Sequence, residues 1–83
     1  MRLRLRCRRG NYWCATLREW LEEVKDILES EYNVRIVVEV EEADIEEPVI
    51  LDEGGREVLR GVPGEPGYLI EQLKLYLDER LGR

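Results

Sequence analysis

Residues 2–7 alternate without a break: Arg2, Leu3, Arg4, Leu5, Arg6, Cys7. A period of two predicts a strand with one wet and one dry face, the dry one made of Leu3, Leu5 and Cys7. Gly10 permits a turn, and Asn11 is a good helix N-cap because its side-chain oxygen can accept a free backbone N–H of the first turn. The period then changes. Trp13, Leu17, Trp20, Leu21, Val24, Ile27 and Leu28 recur at three- and four-residue spacing, the stripe of an amphipathic helix from about Tyr12 to Tyr32. Asn33 is its expected stop.

Val34, Ile36, Val38 and Val40 return to a period of two and predict a second strand with one dry face. Two strands joined by a helix of this length form a βαβ unit and are expected to be parallel. Arg2, Arg4 and Arg6 would then lie near Arg35, Glu39 and Glu41, where opposite charges on neighbouring strands add a few tenths of a kcal/mol each.

After an acidic connection from Glu41 to Glu47, Pro48–Leu51 is a short strand opening on proline, tolerated at the first strand residue. Asp52-Glu53-Gly54-Gly55 is a hairpin turn and Arg56–Arg60 the returning strand. A Gly/Pro loop leads to a last helix with Tyr68, Leu69, Ile70, Leu73, Tyr76, Leu77 and Leu81 on its stripe and Pro66 in its first turn. The chain is therefore expected to be one α/β domain over residues 1–83, in the order β-α-β-β-β-α. Two layers suffice, with both helices on one face of a four-stranded mixed sheet.

Composition adds two things. Charged residues make up 39% of the chain and histidine is absent, a balance that resembles thermophilic proteins with ion-pair networks. Such organisms are also the exception to the rarity of intracellular disulfides. No apolar run is long enough for a membrane span, and the N-terminal alternation is not a signal-peptide core, so a cytoplasmic protein is expected. The net charge of −6 hides an asymmetry, since residues 1–10 hold Arg2, Arg4, Arg6, Arg8 and Arg9 and no acid. A basic arm can attract phosphates, but pairing with acids of the same chain is the simpler expectation.

Candidate chemistry centres on the chain's two cysteines, Cys7 and Cys14. Cys14 falls near a helix N-terminus, where unpaired N–H groups and the helix dipole favour thiolate. The turn after Cys7 brings the chain back, and a disulfide is geometrically possible if the Cα atoms come within about 7 Å. The alternative is two small buried hydrophobes. Trp13 and Trp20 lie on the helix stripe and are expected in the core, with Trp13 close enough to the turn to serve half-exposed as a contact surface. A hydrolytic triad is excluded without histidine, and a four-ligand zinc site within one chain is not supplied. The acidic run matches no calcium loop, and Gly61, Gly64 and Gly67 lack the Lys-Ser/Thr of a phosphate loop. No cofactor or metal is implied.

Two regions together resemble the thioredoxin-like superfamily in its short glutaredoxin-like form. One is the strand, glycine turn and long helix that place Cys14 where the second cysteine of Cys-x-x-Cys falls. The other is Pro48-Val49-Ile50-Leu51, the Gly-Gly hairpin and the closing helix. The resemblance implies thiol–disulfide exchange or redox sensing. Cys14 would supply the thiolate and Cys7 would be its disulfide partner. Asn11 would cap the helix, Tyr12 and Trp13 would shape access, and Glu47 with a cis Pro48 facing the 10–14 turn would present backbone to a bound peptide, the five together forming the substrate-binding surface. The implied partners are protein thiols or disulfides. The chain departs from the pattern twice: Asn11 stands where the first cysteine attacks, giving Asn-Tyr-Trp-Cys, and the helix usual between the second and third strands is missing. A non-catalytic protein-binding module of the same fold is the competing expectation, and nucleic-acid binding through the arginine face a weaker third.

Overall fold

A computed structural model describes residues 1–82. Strand β1 (Arg2–Cys7) leads into helix α1 (Tyr12–Tyr32). Strands β2 (Val37–Glu42), β3 (Val49–Leu51) and β4 (Glu57–Arg60) follow, and helix α2 (Pro66–Leu81) closes the chain. The sheet order is β2-β1-β3-β4, with β1 and β2 parallel and β1–β3 and β3–β4 antiparallel. This is the expected α/β architecture of a four-stranded mixed sheet with two helices.

The alternation of β1 sorts its side chains as read. Leu3, Leu5 and Cys7 are buried in one core cluster with Leu17, Leu21 and Leu28 of α1 and with Leu69, Leu73 and Leu77 of α2. Both helices therefore cover the same sheet face. On the other face Arg2 pairs with Glu39 (3.1 Å), and Arg4 and Arg6 share Glu41 (3.5 and 3.6 Å). These pairs are half-exposed and each contributes a few tenths of a kcal/mol at most. They do settle the wet side of β1 against the acidic β2, leaving no need for a second helix layer.

Helix α1 begins and ends on asparagines. Asn11 Oδ1 accepts the Trp13 N–H at 2.8 Å. Asn33 closes the helix in the left-handed region (φ 54°, ψ 47°), its N–H donating to the Glu29 carbonyl. A left-handed asparagine is a common helix stop. The second strand starts at Val37, three residues later than Val34. The intervening backbone is otherwise engaged: Val34 N–H donates to the Glu29 carbonyl, Ile36 N–H to Glu29 Oε2, and the Arg35 carbonyl accepts from the N-terminal amine.

The hairpin turn falls where expected, with Gly55 at φ 84° and its N–H donating to the Asp52 carbonyl at 3.0 Å. Asp52, buried, ties this turn to α2. Its Oδ1 accepts from Gly54 and Arg56 N–H (both 2.9 Å) and its Oδ2 from the Tyr76 hydroxyl (2.8 Å). No helix among the described residues is long and apolar enough to cross a membrane.

Candidate functional site: the Cys7–Cys14 disulfide

Cys7 and Cys14 are joined by a disulfide, with their Cα atoms 6.1 Å apart. Cys7 ends β1 on its core face and is 3% exposed. Cys14 is the third residue of α1, only partly buried, and its N–H donates to the Asn11 carbonyl at 3.1 Å. The turn between them makes the approach. Asn11 N–H donates to the Arg8 carbonyl at 3.1 Å, and Gly10 takes φ 80°, a conformation costly for a residue with a Cβ. The bond thus links the end of the central strand to the first turn of the long helix.

Both cysteines line a surface cleft of about 250 Å³. Its other walls come from the 8–11 turn, from Ala15 and Arg18 of α1, and from Val40 and Glu42 of β2. Arg8 is held by Asp44 at 2.8 Å. Arg9 and Arg18 make no ion pair among the described residues and add positive charge to the helix end. A thiolate on Cys14 would therefore lie at the positive end of the helix dipole, in a cleft that Arg9 and Arg18 also line.

The other expected site residues divide. Asn11 is the helix cap and lines the disulfide cleft. Tyr12 (74% exposed) and Trp13 (55% exposed) project beside it, their rings edge-to-face at 5.5 Å. Trp13 is thus not a core residue. It sits in the first turn of α1, at the start of the apolar stripe. Instead it joins Trp20, Val62, Pro63 and Gly64 around a mainly apolar groove of about 330 Å³.

Pro48 lies beside Cys7, one step beyond the Arg6–Val49 pair in the β1–β3 register. The Glu47–Pro48 bond is trans, not the cis bond expected. Pro48 is buried, and its carbonyl accepts the Gly61 N–H at 2.8 Å, so that group belongs to the sheet and is not offered to a ligand. The Glu47 carboxylate lies over Gly61, where its Oε2 is 3.1 Å from the position a Cβ would take. Neither Glu47 nor Pro48 lines the disulfide cleft.

Arg9, Arg18, Val40 and Glu42 were not singled out as site residues. Arg18 was within reach of a sequence reading, since it lies one helical turn after Cys14. Val40 and Glu42 carried no local signal, because only the parallel register opposite Leu5 and Cys7 brings them there.

The chain matches no family model, no curated protein and no solved structure.

Proposed function

We propose that the protein is a thiol–disulfide exchange or redox-sensing protein in which Cys7–Cys14 is the reversible couple. The observation that carries this reading is the disulfide itself, at a helix N-terminus, with Cys14 as the reachable sulfur in an arginine-lined cleft. A short thioredoxin-like domain fits the strand order, the parallel β1–β2 unit and the closing helix. The trans Pro48 does not fit that family's site, so the proposal rests on the cysteines and not on backbone presented by Glu47 and Pro48.

The exchange follows from the geometry. An incoming protein thiolate attacks Cys14 Sγ, the reachable sulfur. The sulfur–sulfur bond breaks, and its electron pair leaves on Cys7, which takes a proton from solvent. A second thiol then attacks the mixed disulfide and releases Cys14 as thiolate. Two substrate thiols become one disulfide and the protein gains two thiols. The first step expels a buried sulfur, whose thiolate burial disfavours, and a poor leaving group slows exchange. With Asn11 in place of a surface cysteine, this arrangement suits a slow redox sensor better than a general reductase.

A non-catalytic binding module is the second reading. It is favoured by the exposed Trp13 and its groove with Trp20, Val62 and Pro63. The arginine face offers little to nucleic acid, because Arg2, Arg4 and Arg6 are already paired with Glu39 and Glu41.

Equilibration of the folded protein in graded dithiothreitol buffers, with thiols counted by mass after alkylation, separates the two main readings. A reversible two-electron transition with the fold intact supports the redox couple. A disulfide that opens only when the chain unfolds leaves the binding module.

A further inference from the structure

Strand β2 is an edge of the sheet, hydrogen-bonded to β1 on one side and to no strand of the described residues on the other. Its backbone orientation can be read from its ends. Val37 N–H donates to the Met1 carbonyl and Ala43 N–H to the Cys7 carbonyl, both at 2.9 Å. Alternate residues of a parallel strand bond to the same side. Odd-numbered positions from 37 to 43 therefore face β1, while Val38, Val40 and Glu42 turn their N–H and C=O groups to the open edge. Such a row is a template for another strand unless something blunts it. β2 contains no proline, lysine or bulge, and its guard is acidic, Glu39, Glu41 and Glu42, which repels like-charged strands but not a basic one.

The side chains of this edge have a definite chemistry. In the register with β1, Val38 lies beside Leu3 and Val40 beside Leu5 on the helix-covered face, and Glu39 and Glu41 lie beside Arg4 and Arg6 on the open face. Yet Val40 is 45% exposed, because the helices do not extend over the outer rim of β2. From Val38 to Glu41 the edge thus offers aliphatic groups on one face and carboxylates on the other, and Val37 and Glu42 reverse that pattern at its two ends. β1, which satisfies the inner side of β2, alternates arginine with leucine.

We propose that the open edge of β2 binds an extended polypeptide segment in which basic and aliphatic residues alternate. Its backbone would pair with Val38, Val40 and Glu42. Its basic side chains would reach Glu39 and Glu41 from the side opposite Arg4 and Arg6, and its aliphatic side chains would cover Val38 and Val40. Strand addition of this kind draws affinity from main-chain bonds and selectivity from alternate side chains. A second copy of this chain is disfavoured as the occupant, since two β2 edges would bring Glu39, Glu41 and Glu42 against their own like, and like charges across neighbouring strands destabilise. Val40 and Glu42 also wall the disulfide cleft, but the proposal stands on the edge backbone and does not rest on the redox reading.

The test is fluorescence anisotropy of the full chain with a labelled Arg-Val-Arg-Val-Arg-Val peptide. Val40→Pro removes an edge-facing N–H but no β1–β2 bond, a placement proline tolerates on an edge strand. Val40→Thr keeps the backbone. The expected result is saturable binding, weakened at least about tenfold by Val40→Pro and within about twofold of wild type for Val40→Thr. A peptide of equal charge, N-methylated at alternate residues, should fail to bind wild type, and this arm holds even if the proline variant does not fold. Equal binding by both peptides would reduce the effect to general attraction by an acidic protein and overturn the proposal. So would absence of binding at millimolar peptide. A wild-type dimer in sedimentation that Val40→Pro dissolves would also overturn it, by giving the edge to a second copy.

Discussion

The Tyr76 hydroxyl donates to Asp52 Oδ2 at 2.8 Å and accepts from Arg80 Nη1 at 2.9 Å, so one phenol joins the β3–β4 turn to the last turns of α2. Arg80 also pairs with Glu53. This network holds the Asp52 carboxyl below its ordinary value, chiefly through the Tyr76 hydroxyl and further through the Arg56 and Gly54 amides, against an opposing effect of burial. A lowered folded value means that the carboxylate stabilises the fold fully above about pH 4 and loses that contribution as pH falls through the lowered value. Denaturant melts at a series of acid pH values should show that loss, and Asp52→Asn should flatten it. Tyr76→Phe should cost about 1 kcal/mol at neutral pH, the worth of a hydrogen bond to a charged group less what water replaces.

The two cysteines should differ once reduced. Cys14 lies at the cleft with the helix end and Arg18, and Cys7 is buried. Under native conditions at pH 7, iodoacetamide should modify Cys14 faster than an unperturbed thiol and Cys7 far more slowly. Peptide mapping over time checks this. Equal labelling of both only after denaturation would return them to the status of buried structural residues.

Breaking the bond should weaken the fold measurably. It closes a short loop of sequence separation 7, and a loop of this size is worth about 2–3 kcal/mol. Cys14→Ala should lower the free energy of unfolding by that amount, and dithiothreitol should produce a similar loss in wild type but none in the variant. Urea titrations with and without reductant make the comparison.

Asn11→Cys would create a surface thiol at the helix cap, three residues before Cys14. Loss of the bond from the Trp13 N–H to Asn11 Oδ1 should cost about 1 kcal/mol, which the fold should survive. Insulin reduction with dithiothreitol as electron source should rise at least about tenfold, equivalent to roughly 1.4 kcal/mol of barrier. Asn11→Cys/Cys14→Ser is the control. A folded variant with wild-type activity would mean that Asn11 does not occupy the place of an attacking cysteine.

The helix α1 was legible from end to end because its signals are local: Asn11 and Asn33 cap it, and Leu17, Leu21, Val24 and Leu28 mark its buried side. The parallel β1–β2 pairing followed from the helix between the strands and the faces of β1 from its alternation, whereas Val40, read on the dry face of the second strand, is 45% exposed because that strand is an edge. Trp13 was open between core and a half-exposed contact beside the turn, and at 55% exposed it is the second, because periodicity tells which side of a helix is apolar and not how much of each residue is covered. The nearness of Cys7 to Cys14 could be bounded from the sequence, but the bond depended on the conformation of Gly10 and the turn around it. Pro48 was placed beside the correct strand end, while its bond geometry came from a resemblance that this turn does not follow. The Asp52–Tyr76–Arg80 contact had no signal at all, since nothing local links a hairpin aspartate to a helix tyrosine 24 residues later.

The strand order β2-β1-β3-β4 also bears on how the chain is made. β1 is synthesised before either of its neighbours, and it cannot be flanked on both sides until Val49–Leu51 has left the ribosome. Until then a central strand waits with at least one edge bare, a condition under which nascent chains stick to one another. Arg2, Arg4 and Arg6 make that wait safer, because strands carrying a cation at every second position repel their own copies. The same charges later meet Glu39 and Glu41, so the residues that guard the unfinished strand become the ones that join it to its partner.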